Sequence, residues 1–460
     1  MIRIFRHYIS KAYLWLLIVE FGVFFGAMFL GNYLYLNALQ NSQETLLTCL
    51  AFSSLLSLCC AGIGLYRRSL SLEDYDLLSR IAASFLMAIM GVITLNFLIP
   101  DFNTAKEILL VAAIVAFVGI IVTRHFFYRI ANLEQLKRRV LVIGAGKKAQ
   151  QLTKINNTFI HKSFFVAGFI PTNEKEAELI DPSLIIHSKK SFADIIKEYK
   201  IDEIVVAMDD KRGFLPLDGL LDCKMSGTTI LDLMSFYERE QALISLENLQ
   251  PSWLIFSDGF AQGGLRLIEK QFFDLIASLA LFVVAWPIML LTAAAILLES
   301  RGKGPILYRQ VRVGENNALF EVLKFRSMHV DAEKNGAQWA QSQDNRVTRV
   351  GAIIRKFRID ELPQIFNVLK GEMSFVGPRP ERPEFVSDFE KTIPYYSERH
   401  RVKPGITGWA QLCYPYGADE NDAIQKLQYD LYYVKNYSLF LDISIMFNTV
   451  EVVLWGKGAR

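Results

Sequence analysis

Four long apolar segments dominate the amino-terminal part of the chain. They cover roughly residues 13–36, 45–66, 81–99 and 108–127, and each is close to the ~20 residues that an α-helix needs to cross a bilayer. The first segment has no obvious cleavage site and is followed by further apolar segments, so it is interpreted as a retained helix. The pattern predicts a four-helix transmembrane bundle over residues 1–132.

The pattern then changes to short β-branched runs separated by polar helical stretches. RRVLVIGAGKKAQQL, from residue 138, is a strand, a glycine turn and a helix start, which is typical of a dinucleotide-binding unit. FFVAGFI and DEIVVAM, at 164–170 and 202–208, predict two more buried parallel strands. A Rossmann-like α/β domain is therefore expected over residues 137–260.

Gly144 and Gly146 in the glycine turn are candidate cofactor-binding residues. The next predicted strand ends in Ile170, Pro171 and Thr172, without the acidic residue that usually holds a ribose. A packing role for the glycines is therefore an alternative to nucleotide binding.

A fifth apolar segment, residues 272–298, has cations on both flanks, with Lys270 before it and Arg301 after it. A plain span would export one of these basic flanks. Pro287, which follows Trp286, removes a helix hydrogen bond in mid-segment. The pattern favours a re-entrant helix broken at these two residues; a fifth span with a proline kink is the alternative.

Charge placement predicts the orientation. Lys and Arg residues crowd the ends of the first, second and fourth segments on one side, whereas the opposite loops, residues 37–44 and 101–106, carry one Lys between them. The positive-inside rule puts both ends of the bundle in the cytoplasm. The 460 residues are 52% hydrophobic with a formal net charge of only +3, a composition that indicates a membrane protein and not a nucleic-acid-binding one. Five scattered cysteines match neither zinc spacing nor a disulfide framework.

The carboxyl-terminal part is rich in cations set among short polar motifs. If they converge, they would form a pocket suited to phosphate, because Arg binds its oxygens in bidentate fashion and Lys adds a point charge. A solvated or lipid-facing surface is the alternative for each of them. The residues are Arg312, Lys324, Arg326, Arg355, Arg358, Arg379 and Lys403.

Within RKFRIDELPQ, Asp360 and Glu361 lie directly before a predicted helix that begins near Pro363. Capping of that helix is one interpretation. The other is chemical: a carboxylate kept ionised by arginines can attack phosphorus and form an acyl phosphate, while its neighbour holds Mg²⁺.

With these motifs the chain resembles the bacterial sugar transferase family, the monotopic polyprenyl-phosphate glycosyl-1-phosphate transferases. The likeness covers about residues 266–456 and combines Lys270 to Asp274, Gln310-x-Arg312-x-Gly314, LKFRSM, DELPQ, GPRP and KPGITGWAQ. Four spans followed by a Rossmann-like domain are similar to the long, exopolysaccharide-initiating branch, which includes undecaprenyl-phosphate glucose and galactose phosphotransferases.

The resemblance implies transfer of a sugar 1-phosphate from a UDP-sugar to a polyprenyl phosphate, with release of UMP, at the bacterial inner membrane. Asp360 would be the nucleophile and Glu361 would assist Mg²⁺ binding in a mostly α, cytoplasmic catalytic domain over residues 266–460. Phosphate contacts are expected from Lys324, Arg326, Arg355, Arg379 and Arg312. The expected partners are the UDP-sugar, the polyprenyl phosphate and membrane lipid, with a homodimer as a further expectation.

Two departures from the family pattern stand near the apolar segment: Gln271 replaces a second basic residue, and Trp286 replaces the Ser that often precedes the proline. Rival functions are a sensor of nucleotide-sugars and a scaffold for polysaccharide synthesis. A nucleotide-sugar dehydratase is disfavoured because no Tyr is followed four residues later by Lys. No residue pattern identifies the sugar.

Overall fold

The computed structural model describes residues 2–4, 7–9, 11–36, 42–66, 74–99, 104–131, 137–158, 164–172, 179–187, 190–209, 215–260, 263–332, 346–414 and 419–455. The chain divides into two compact units, one of residues 1–2, 8–61 and 65–241 and the other of residues 3–7, 62–64 and 242–460. The domain boundaries expected near residues 132, 137, 260 and 266 stay predictions.

The four predicted amino-terminal spans are confirmed as long apolar helices, and each is long and apolar enough to cross a membrane. A short two-stranded sheet precedes them, formed by β1 (Ile2–Ile4) and β2 (His7–Ile9). The helices are α1 (Lys11–Leu36), α2 (Ser42–Gly62), α3 (Asp74–Leu98) and α4 (Lys106–Ala131).

A buried ion pair lies among these helices. Glu20 of α1 accepts from Arg124 of α4, with Nε 2.9 Å from Oε1, and the hydroxyl of Tyr66 donates to Glu20 Oε2 at 2.5 Å. Ionisable residues in apolar helices are normally paired because isolation there is costly. This arrangement gives Glu20 a helix-pairing role.

A small parallel sheet follows the bundle, in the order β4-β3-β5-β6. Its strands are rich in β-branched and aromatic residues, as expected of strands covered on both faces. All three strands predicted from sequence are present, and one more extends the sheet. The strands are β3 (Arg138–Ile143), β4 (Phe164–Ile170), β5 (Glu203–Val206) and β6 (Thr229–Asp232); the helices are α5 (Lys147–Thr158), α6 (Phe192–Tyr199), α7 (Leu217–Met225) and α8 (Leu233–Gln241).

The fifth apolar segment lies within one long helix, α10 (Gly264–Glu299), which follows the short α9 (Pro251–Phe256). It has 36 residues and continues through Pro287, so at about 1.5 Å per residue it is about 54 Å long. That is more than the ~30 Å hydrocarbon core of a bilayer. The helix is long enough to cross a membrane, and the re-entrant path stays a prediction.

The rest of the second unit combines two small sheets with helices. Strands β7 (Leu307–Val313) and β8 (Leu319–Phe325) form an antiparallel hairpin, and β9 (Ser374–Val376) pairs in parallel with β10 (Gly405–Thr407). The helices are α11 (Arg349–Lys356), α12 (Gln364–Leu369), α13 (Pro383–Thr392), α14 (Trp409–Cys413), α15 (Glu420–Asn436) and α16 (Leu439–Trp455).

Candidate active site

The acidic pair lies on a single 3₁₀ turn, Ile359–Glu361, between α11 and α12. Arg358, directly before the turn, has the left-handed conformation with φ 56°, which is uncommon for a residue other than glycine. The capping interpretation is wrong: α12 begins after Pro363, and no side chain caps it.

Glu361 is held by three cations. Its Oε1 accepts from Lys324 Nζ at 3.1 Å and from Arg379 Nη2 at 2.9 Å, and its Oε2 lies 3.5 Å from Arg358 Nη1. Glu361 itself is only 7% exposed. Three of the seven basic residues that could form a pocket, Lys324, Arg358 and Arg379, thus converge on Glu361.

Asp360 is the contrasting member of the pair. Within the ranges that the structure describes, no side chain or backbone group donates a hydrogen bond to it, although Lys324, Arg355 and Arg379 all act on its charge. It is half-buried. A carboxylate that is near cations but accepts no hydrogen bond has oxygen lone pairs available to bind or attack a substrate atom.

The pKa values of the two acids diverge because their surroundings differ. Burial raises the pKa of Asp360 to about 6, aided by the charge of Glu361 and opposed by Lys324 and Arg379. Burial also acts against ionisation of Glu361, but Arg379 and Lys324 outweigh it and hold the pKa of Glu361 well below its usual range. Adjacent acids with divergent pKa values are typical of sites with divided chemical roles.

Two separate elements supply the main cations. Lys324 stands near the end of β8, opposite Tyr308 in the hairpin. Arg379 lies in the GPRP loop, residues 377–380, directly after β9, where its carbonyl accepts from Arg399 Nη2 at 2.9 Å. At Gly377 an added Cβ would lie 2.3 Å from the carbonyl oxygen of Lys403, so this loop can pack against its neighbour only with glycine there.

Arg312 braces the GPRP loop without reaching the acidic pair. Its Nη1 donates to the carbonyl of Pro380 at 3.1 Å and lies 3.3 Å from a carboxylate oxygen of Glu381, while its Nη2 donates to Gln310 at 2.6 Å. The structure therefore places Arg312 beside the loop that carries Arg379.

Arg326 and Arg355 differ in their placement. The guanidinium of Arg326 is directed to the carbonyl of Lys303, with Nη1 at 3.0 Å, and the residue is buried. The side chain of Arg355, on α11, has no hydrogen-bond or ion-pair partner within the described ranges, but its charge favours the ionised form of Asp360. Phosphate binding by either residue stays a prediction.

The donor set around the acidic pair suits Mg²⁺ only in company with a substrate. Among the described residues no group of three or more His, Cys, Asp or Glu could hold a metal ion alone. Mg²⁺ in phosphate chemistry is commonly bound by one or two carboxylates plus substrate phosphates, and Asp360 with Glu361 fits that smaller requirement.

A carboxylate of the chain itself occupies the glycine turn of the parallel sheet. The carboxylate of Asp209 accepts from the backbone amides of Lys147 at 2.9 Å and Lys148 at 3.0 Å, at the start of α5. An added Cβ on Gly146 would lie 2.2 Å from Asp209 Oδ2, and one on Gly144 would lie 2.7 Å from a backbone oxygen. These amides are the ones that a dinucleotide phosphate would need, so a phosphate would have to displace Asp209.

Sequence reasoning missed Tyr433, Asp442 and Arg399, which support the site. Tyr433 and Asp442 are buried and, together with Lys270, contact the strand before the GPRP loop, and Arg399 donates to the loop itself. An acid in the first turn of the apolar helix α16 was the available indication for Asp442.

Residues 265–456 match the model of the bacterial sugar transferase family. The chain is 52% identical over 191 residues to the UDP-N-acetylgalactosamine-undecaprenyl-phosphate N-acetylgalactosaminephosphotransferase of Aeromonas hydrophila, covering 42% of this chain and 45% of that protein. It is 33% identical over 332 residues to the undecaprenyl-phosphate glucose phosphotransferase of Komagataeibacter xylinus, covering 71% and 60%.

A third relative is covered more completely. The UDP-glucose:undecaprenyl-phosphate glucose-1-phosphate transferase of Caulobacter vibrioides is 41% identical over 189 residues, which are 41% of this chain and 70% of that protein. The chain therefore belongs to the bacterial sugar transferase family. It spans about half the length of the first two relatives.

Proposed function

We propose that the chain transfers a sugar 1-phosphate from a UDP-sugar to undecaprenyl phosphate, releases UMP and thereby initiates synthesis of an exopolysaccharide or another glycoconjugate. The names of the three relatives support the reaction class. The acidic pair, which lies inside the matched region, supports the mechanism.

The asymmetry of the pair is the observation that carries the proposal. Glu361 is locked by cations on both oxygens, whereas Asp360 lies in the same field with no hydrogen bond from the described residues. A carboxylate with only a structural role would have its oxygens occupied by hydrogen bonds and ion pairs, as those of Glu361 are. A nucleophile needs an accessible lone pair and an ionised form that is not overstabilised.

The transfer takes place in two displacements at the same phosphorus atom. In the first, an ionised oxygen of Asp360 attacks the sugar-bearing phosphorus of the UDP-sugar; the phosphorus–oxygen bond to UMP breaks and UMP leaves with the bonding electron pair. In the second, a phosphate oxygen of the lipid attacks the same phosphorus, the acyl phosphate bond breaks, and the Asp360 carboxylate is restored. Because UMP can depart before the lipid reacts, ping-pong kinetics are expected.

The cations and Mg²⁺ divide the electrostatic work. In this proposal Arg379 and Lys324, which both donate to Glu361, bind oxygens of the diphosphate, and Arg358 and Arg355 extend the positive surface. Glu361, together with the substrate phosphates, would hold Mg²⁺, whose chemistry there would be to neutralise charge on the leaving phosphate.

The reaction requires a site at the membrane surface, because the acceptor is a lipid and the donor is soluble. Five apolar helices of suitable length and the distribution of basic residues support a multi-pass protein of the cytoplasmic membrane with its catalytic part in the cytoplasm.

UDP-N-acetylgalactosamine is the first donor to test. The 52% identity to the relative named for that sugar exceeds the 41% and 33% identities to the two relatives named for glucose.

Isotope exchange without lipid tests the covalent step. Purified protein is mixed with Mg²⁺, labelled UMP and a panel of UDP-sugars that includes the N-acetylated sugars, glucose and galactose. Label is expected in one UDP-sugar with the wild type and not with Asp360→Asn, while Asp388→Asn, on the exposed face of α13, exchanges normally. Failure of every donor to exchange would rule out the covalent route.

A further inference from the structure

Two residues near the start of α10, Lys270 and Asp274, contact strand β9 through buried polar groups. They are four residues apart and so share one helix face. The carboxylate of Asp274 accepts from the hydroxyl of Ser374 and from the amide of Phe375, both at 2.9 Å. Asp274 is 6% exposed and Ser374 is fully buried.

Lys270 completes a second contact at the other end of the strand. Its Nζ donates to the carbonyl of Val376 at 3.0 Å, to the hydroxyl of Tyr433 at 3.1 Å and to Asp442 Oδ2 at 2.7 Å. The Tyr433 hydroxyl also lies 2.9 Å from the Val376 carbonyl oxygen. An ammonium has three donors, and all three are used here, so none remains for a lipid phosphate.

The strand held in this way leads directly to the GPRP loop. Three residues after Val376, Arg379 donates to Glu361 Oε1 at 2.9 Å. The other side of the strand is held by β10, where Ser374 donates its amide to the carbonyl of Pro404 at 2.8 Å. Strand β9, which leads to Arg379, is therefore held between α10 on one side and β10 on the other; we call this arrangement the clamp.

Stability alone is a poor reason for such a cluster. Removing an ammonium and a carboxylate from water is unfavourable, and apolar replacements of buried ion pairs are often neutral or stabilising. A directional contact to one carbonyl oxygen, by contrast, fixes a backbone position that apolar packing leaves less defined.

We propose that Lys270 and Asp274 are positioning residues, which hold β9 so that Arg379 stays on Glu361 beside Asp360. This role rests on the proposed function of the acidic pair. It also ties the geometry of the site to the helix that carries the longest apolar segment of the chain.

The test separates positioning from charge compensation. Lys270→Met alone leaves Asp442 buried without its cation and can lower folding yield; the double variant Lys270→Met/Asp442→Asn removes both charges. We expect the double variant to retain the wild-type melting temperature within a few degrees while kcat for UMP exchange falls roughly tenfold to a hundredfold, the scale of a small misplacement. The exposed pair Lys391→Met/Asp388→Asn is the matched control and leaves kcat unchanged.

Two further measurements distinguish the role. In the double variant, Arg379 should move away from Glu361 and Asp360, and its charge would then no longer favour the ionised form of Asp360. The pH below which the rate of UMP exchange falls should therefore be higher than in the wild type. Asp274→Leu should lower kcat, whereas Asp274→Asn, which retains an acceptor oxygen for Ser374 and Phe375, should keep most of the wild-type kcat.

Hydrogen exchange of the amides at residues 374–377 gives a result that does not depend on turnover. Faster exchange in the double variant, but not in the control, supports the clamp even if the wild type transfers no sugar phosphate. Unchanged exchange at these amides, or a double variant with wild-type kcat and an unmoved acidic limb, overturns it.

Discussion

The start of α5 and the turn that carries Asp360 each place a carboxylate among groups that bind anions, with opposite results. At α5, the exposed Asp209 takes the two backbone amides that would face a phosphate. At the turn, the buried Glu361 takes the cations, and Asp360 is left in their field without a donor among the described residues. The carboxylate at α5 has hydrogen-bond donors from its own chain, whereas Asp360 has none among the described residues.

This difference in hydrogen bonding indicates a structural role for Asp209 and a reactive one for Asp360. A single carboxylate at a helix start gains from the dipole and the amides and has no reason to react. A second carboxylate next to an occupied one is destabilised by the like charge and by burial, while nearby cations keep its ionised form within reach. Four changes break or sharpen this contrast.

The largest effect is expected from Asp360→Asn. Removal of the nucleophile should lower the rate of UMP exchange by at least about 10³-fold, since nucleophile substitutions in covalent enzymes have effects of this size or more. The matched change Asp209→Asn should leave the rate within a factor of two. Exchange by Asp360→Asn at more than one hundredth of the wild-type rate would contradict the assignment.

Glu361→Gln should lower the rate by about 10²-fold, because it releases Lys324 and Arg379 from their shared partner. The acidic limb of the rate profile should move to lower pH, since the charge of Glu361 is one cause of the raised pKa of Asp360. The variant should also lose about 2 kcal/mol of unfolding free energy, less than for a fully buried pair because Arg379 is 38% exposed. Rate profiles and chemical denaturation measure these effects, and an acidic limb that moves upward would be inconsistent with them.

The wild-type rate itself should depend on pH through Asp360. Its pKa is raised to about 6, and the nucleophile must be ionised, so kcat/KM for UMP exchange should fall about tenfold per pH unit below that value and level off above it. Exchange measured from pH 4.5 to 8 tests this, with enzyme stability checked at each pH. A flat profile across pH 5 to 7 would exclude Asp360 as the titrating nucleophile.

The smallest effect is expected from Asp209→Ala, which removes the internal anion of α5. Unfolding free energy should fall by about 1 kcal/mol, the usual cost of losing such a cap. Inorganic phosphate should then raise the melting temperature of the variant more than that of the wild type, because the amides of Lys147 and Lys148 become available. Equal stabilisation of both proteins by phosphate would show that Asp209 does not occupy an anion site.

Local features of the fold were predictable, because they depend on residues that are close in sequence. The apolar helices follow from segment length, and β4 was predicted with the bounds 164–170 that it has. Strand β5 was predicted over 202–208 and is shorter, at Glu203–Val206. The composition of the acidic pair's surroundings was also predictable in part, since Arg358 and Arg355 are near neighbours in the chain.

Contacts between distant segments were not predictable from one sequence. Lys270 and Asp442 are 172 residues apart, and Asp209 is 62 residues from the amide of Lys147, so no periodicity links them. Arg326 is one of several cations in a basic region, and only the fold directs it to the Lys303 carbonyl. The capping interpretation failed for a related reason: the turn at Ile359–Glu361 separates the acids from α12.

The contacts from α10 to β9 have a practical consequence for anyone who wants a water-soluble version of this protein. In many enzymes with a membrane anchor, the anchor can be deleted at a linker and the remaining globule purified without detergent. Here such a deletion would take away Lys270 and Asp274 and with them one side of the support for Ser374 and Val376. Solubilisation should therefore begin from redesign of the exposed apolar surface of α10, with its first three turns left intact.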